Sequence, residues 1–104
     1  AEHVVFEATT LPESVEGRDQ VAAVMGTASK IYEKLEFTAE VHSGSTSYLQ
    51  WQATAFDNMA MRGVTILERD AAGKVARLAI HHRPLGAVLR FAAEIQDRLA
   101  REGR

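Results

Sequence analysis

From residue 37 to residue 82 the apolar residues recur with a period of two, interrupted only by the short turn sequences SGST, DNMA and DAAGK, and no other stretch restricts the fold so much. Alternation of this kind marks half-buried strands, and connections this short can only join antiparallel neighbours. The pattern predicts strands over residues 37–41, 48–56 (YLQWQATAF), 61–69 (MRGVTILER) and 75–82 (VARLAIHH), with Gly73 able to supply a positive φ in the last turn. In the first of these, Phe37, Ala39 and Val41 alternate with Glu36, Thr38 and Glu40.

The flanks read differently. HVVFE, residues 3–7, is short and β-branched and predicts one more strand, followed by the loop ATTLPESVEGRD. Val21, Val24, Ala28, Ile31 and Leu35 then fall at spacings of three and four, predicting an amphipathic helix over 18–34. Gly26 inside that helix costs about 1 kcal/mol relative to alanine, which points to a close packing contact there. Pro84 ends the last strand, and Val88, Phe91, Ala92, Ile95 and Leu99 mark the buried face of a helix over 85–99. The expected architecture is α+β: a curved antiparallel meander with helices packed on it, residues 1–104 forming one domain.

Composition narrows the partners. Twelve basic and fourteen acidic residues leave a net charge of -2 without a block of either sign, so nucleic acid and membrane surfaces are not expected. Without cysteine there is no disulfide, thiolate nucleophile or zinc–thiolate site, and no stretch approaches the roughly 20 apolar residues of a bilayer span. The start AEHVVFEATT lacks the pattern of a signal peptide, and a cytoplasmic location is the default expectation.

VVFEATTLPESVEGRDQVAAV, Tyr48 with Trp51, and MRGVTILERDAAGKVARLAIHHRP together resemble the nuclear-transport-factor-2-like superfamily, in particular its polyketide-cyclase-like and ketosteroid-isomerase-like branches. The resemblance implies a cone-shaped, cystatin-like fold, a small-molecule pocket and a homodimer built on the outer sheet face. Members usually open with one or two helices that close the cone, whereas this sequence begins at what would be the first strand. Either this is a short form or the front lies outside this sequence; without those helices the resemblance implies a bare apolar face and an arrangement swapped or shared between subunits.

It also invites a test of chemistry. Compared without gaps with a ketosteroid isomerase, the carboxylate base falls on Ala8, beside Glu7, and the oxyanion-hole acid falls on Thr65. Neither residue can serve, which argues against isomerisation. Epoxide hydrolases of the superfamily use aspartate, arginine and aspartate on neighbouring strands; here Arg62 and Glu68 share a face but no aspartate stands on the next strand.

His81 and His82 are adjacent on a strand and point to opposite faces, so only one can enter a pocket. The frame that turns Thr65 and Leu67 inward also turns Leu78, Ile80 and His82 inward, making His82 the candidate acid or base, with a hydrogen-bonded structural histidine as the competing reading. Gap-free comparison with the superfamily places Tyr48, Gln50 and Gln52 in the pocket and leaves Trp51, Leu49, Arg77 and His81 to the interface. A slip of one residue at Asp57 and Asn58 exchanges the two faces of that strand. His42 has no second and third ligand in evident reach, and neither metal nor cofactor is expected. The leading expectation is a dimeric domain that binds an apolar small molecule; a small enzyme working through His82 and an interaction module with a filled cavity are the alternatives.

Overall fold

The computed structural model describes residues 3–101. Six strands form one sheet in the order β2-β1-β6-β5-β4-β3, made of β1 (Val5–Ala8), β2 (Val15–Glu16), β3 (Lys34–Ser43), β4 (Thr46–Ala55), β5 (Met59–Arg69) and β6 (Val75–Arg83). Strands β3 to β6 are the antiparallel meander that the three turns require. The sheet as a whole is mixed, not purely antiparallel, because β1 runs parallel to β6 and β2 pairs antiparallel to β1 from within the stretch read as loop. Register shifts interrupt the ladders at Phe37/Ala39 in the edge pair β3–β4 and at Glu68/Arg69 in the central pair β5–β6. The first shift also moves Val41 to the face opposite Phe37, which the strict alternation had placed together with it.

Helices α1 (Arg18–Ser29) and α2 (Leu85–Arg101) cover one face of this sheet. Val21 and Val24 of α1 pack on Phe6 and Leu78, while Ala87, Phe91 and Ile95 of α2 pack on Trp51, Ala53, Ala55 and Met61. Helix α1 ends five residues earlier than its periodicity predicts. Glu33 already donates its backbone N–H to Thr54 O (2.8 Å), and Leu35 pairs with Ala53 as part of β3.

The turn between β4 and β5 sets which residues face the helices. Residues 56–58 form it, with Phe56, Asp57 and Asn58 all at positive φ (51°, 60° and 68°) and Ala55 opposite Met59. Three consecutive left-handed residues without glycine are strained. The Glu33 carboxylate offsets this by accepting the backbone N–H groups of Asp57 and Asn58, each at 3.0 Å, and the Arg90 guanidinium lies 4.6 Å from the centre of the Phe56 ring. The resulting register puts Trp51 opposite Gly63.

Gly63 is the place where the backbone must be bare: a Cβ built on it falls 2.3 Å from the Trp51 ring and 2.4 Å from His81 O. Gly26, expected to make a close contact, has nothing within 4 Å of such an atom, because it sits on the exposed side of α1. The two glycines should therefore respond oppositely to alanine. In urea denaturation, Gly63→Ala is expected to lose more than about 2 kcal/mol by overpacking the indole, and Gly26→Ala to gain about 1 kcal/mol from helix propensity.

Candidate functional site

Between the sheet and the two helices lies a cavity of about 470 Å³ with predominantly apolar walls. Its floor is an aromatic group drawn from four elements. Tyr32 follows α1, Trp51 comes from β4, His82 from β6 and Phe91 from α2. The Tyr32 and Phe91 rings are 4.9 Å apart, the His82 ring stands edge-on to Trp51 at 5.4 Å, and Tyr32 meets Trp51 edge-on at 5.8 Å. Met25, Leu35 and Phe37 line the mouth, Phe37 being 61% exposed.

Polar groups on this floor are few and their states follow from burial. Tyr32 Oη lies 3.4 Å from His82 Nε2, and His82 Nδ1 is buried with no hydrogen-bond partner among the described residues. Desolvation lowers the His82 pKa from 6.5 to about 4, opposed by the Ile80 carbonyl and aided by the charge of His81. Burial also pushes the Tyr32 hydroxyl up to about 12. Both groups are thus uncharged near neutral pH. Trp51 Nε1 donates to Thr65 Oγ1 at 3.0 Å, leaving the threonine hydroxyl proton free to donate.

Several expected placements hold in space and several do not. Thr65, Ile80 and His82 line the cavity, and Leu67 and Leu78 share its face but sit in the core beside α1. Tyr48, Gln50 and Gln52 are on the opposite, exposed face, and Trp51, expected at an interface, is 2% exposed and inside, with Leu49 on its face. The register imposed by the three-residue turn is the cause: it is the one-residue exchange that the sequence left open at Asp57 and Asn58. Arg77 lies outside, paired with Glu7 and within 3.7 Å of Glu68, and His81 is exposed there as well.

No family model and no curated protein matches the chain. Solved structures do. A bacterial protein with a cystatin-like fold from Silicibacter pomeroyi superposes with a TM-score of 0.91 at 23% identity, over 96% of this chain and 70% of that one. A steroid delta-isomerase from Pseudomonas aeruginosa gives 0.91 at 18% identity, over 98% and 75%. An NTF-2-like protein of unknown function from Burkholderia xenovorans gives 0.68 at 15% identity, over 79% and 62%. The fold is the cystatin-like, NTF-2-like fold of these structures.

Within the nuclear-transport-factor-2-like fold, the positions compared with the isomerase can now be placed. Ala8 and Thr65 both line the cavity, and Glu7 faces away from it toward Arg77. Arg62 and Glu68, the pair tested against epoxide hydrolases, are likewise outside the cavity lining. Among the described residues no group of three histidines, cysteines or carboxylates is close enough to hold a metal ion. His42 is engaged locally, its Nδ1 2.7 Å from Ser47 Oγ and its Nε2 2.5 Å from Glu40.

Tyr32 and Phe91 went unrecognised as site residues in the sequence. Tyr32 lay in what reads as the end of a helix, and its only signal was an aromatic ring with a polar tip there. Phe91 was legible as core, and a core residue becomes a cavity wall only when the facing elements stop short of filling the space.

Burial of His82 makes stability depend on acid. The unfolded chain takes up a proton near pH 6.5 and the folded one only near 4, so the unfolded state binds more protons between these values and stability falls as pH drops through that window. The slope from this group is at most about 1.4 kcal/mol per pH unit. Urea unfolding of wild type and His82→Phe at about pH 7 and about pH 5 should show the wild type losing about 1–2 kcal/mol more than the variant.

Proposed function

We propose that this domain binds a small, mostly apolar molecule in the cavity between sheet and helices. The observation that carries this reading is the uncharged Tyr32–His82 pair set into an otherwise apolar aromatic floor. A few polar groups on an apolar wall orient a ligand while burial of its surface supplies the affinity. The cavity volume of about 470 Å³ falls within the usual range for such sites. It also speaks against an interaction module whose interior is filled by side chains.

An acid–base enzyme working through His82 is less well supported. Glu33 is the only carboxylate among the cavity-lining residues, it sits at the level of the turn, and both its oxygens are engaged by the Asp57 and Asn58 amides. A neutral histidine and a neutral tyrosine with no carboxylate to orient either suit recognition better than proton transfer.

Trp51 is the only tryptophan and forms part of the floor, so its emission reports on occupancy. A panel of apolar molecules screened by thermal shift should yield ligands that raise Tm with the logarithm of their concentration and change Trp51 emission. Ala28→Phe, which projects bulk into the cavity, should weaken them at least about tenfold with the fold intact. If no member of a broad panel shifts Tm, the reading fails.

We propose further that two copies associate through the outer sheet face. Val41, Tyr48, Ile66 and Ala79 are aligned across four strands on that face, with Val64 in the next row, and Val41 and Tyr48 are 60% and 41% exposed. Arg62 and Arg83 are register partners two rows away along the strands, Glu7 continues the row beyond Ala79, and Glu68 stands one row to the other side with Arg77 as its register partner. Sedimentation equilibrium should give twice the chain mass for the wild type and the single-chain mass for Ile66→Asp; a monomeric wild type would refute the dimer.

A further inference from the structure

On the outer face of the sheet, away from the cavity, two arginines stand directly opposite each other: Arg62 of β5 and Arg83 of β6 are register partners. Side chains at such positions leave the sheet about 5 Å apart, and like charges there repel. Other arginines of the chain have partners. Arg77 stands between Glu7 and Glu68, Arg98 pairs with Glu94 and Arg101 with Asp97, Arg69 donates to Ser47, and Arg90 lies over the Phe56 ring. Arg62 and Arg83 form no ion pair among the described residues. The one carboxylate in their row, Glu36, is two strands away from Arg62 and already accepts from the Gln52 amide.

The two arginines border a shallow hollow of about 160 Å³, lined also by Gly63 and Val64. In the adjacent row Gln50, Val64 and His81 are register partners, which brings an amide and an imidazole beside the guanidiniums. All four polar side chains are exposed, and no aspartate or glutamate lines the hollow. Guanidinium groups only donate, and the amide and the imidazole each carry an N–H. Two fixed positive charges with further donors beside them complement a dianion whose oxygens only accept. A phosphate group has that charge, and arginine forks grip it through paired N–H···O bonds. A single carboxylate brings one charge and two oxygens, too few to engage both forks. Binding of the dianion also removes the repulsion that the empty pair carries.

We propose that Arg62 and Arg83, with Gln50 and His81 beside them, form an oxyanion site for a phosphate group on the outer sheet face. The site is separate from the apolar cavity, whose lining contains neither arginine. It lies two rows along the strands from Val41, Tyr48, Ile66 and Ala79, the row assigned above to self-association.

The test titrates inorganic phosphate, phenyl phosphate and benzoate into the full chain by calorimetry. Sodium chloride holds the ionic strength constant, and at about pH 8 a phosphate group carries close to two charges. Wild type is expected to bind a phosphate probe with a Kd of about 1 mM or lower. Arg62→Gln and Arg83→Gln, both at exposed positions where the fold tolerates change, should each weaken that binding at least about tenfold. Benzoate should bind wild type at least about tenfold more weakly than phenyl phosphate. Tighter binding of phenyl phosphate than of the inorganic ion assigns the site to phosphate esters, and the reverse assigns it to the free ion; either supports the proposal. Absence of saturable binding by both phosphate probes, wild-type affinity retained in both variants, or benzoate matching phenyl phosphate overturns it. None of these outcomes bears on ligand binding in the cavity.

Discussion

The turn at residues 56–58 governs the rest of the molecule. Three left-handed residues in a row, none of them glycine, are held by the two oxygens of Glu33 and by Arg90 on Phe56. The register that follows sets Trp51 against Gly63 and turns the indole inward. A two-residue turn would have presented Tyr48, Gln50 and Gln52 to the helices and left no aromatic floor. Side-chain period in a strand is two, so one residue in a turn decides a whole face.

From that register the cavity follows with little further choice. Gly63 gives up its side chain so that the indole can lie flat across β5, and the indole N–H is satisfied by Thr65 on the same strand. Tyr32 reaches the site because α1 stops at Ser29 and the chain turns toward β4 through Glu33. One carboxylate thus steadies the strained turn and fixes the segment that delivers the tyrosine. The polar pair survives burial because both members are uncharged, the histidine by a depressed pKa and the tyrosine by a raised one.

The outer face has a different logic. The charged residues there, Arg77 between Glu7 and Glu68, and Arg62 beside Arg83, flank an apolar row instead of covering it. The exposed edge strand β3 carries Lys34, Glu36 and Glu40 and a bulge near Thr38, features that discourage pairing by strand addition. The proposed association accordingly uses the face and not the edge.

Much of this was legible in the amino-acid order alone. The meander is dictated by period-two alternation between three short turns, α2 by its stripe from Val88 to Leu99, and the inward set Thr65, Leu78, Ile80 and His82 by simple alternation along two paired strands. These depend on local periodicity, which neighbouring residues carry by themselves. The parallel pairing of β1 with β6, the face of Trp51, and the meeting of Tyr32 with His82 were settled only in three dimensions. Each of those joins residues distant in the chain, and each hangs on a register or a helix end that long-range contacts decide: Glu33 to the turn, Trp51 to Gly63. Sequence alone determined that a histidine would face inward; tertiary structure decided what it would face, because a hydrogen-bond partner fifty residues away is a property of packing and not of pattern.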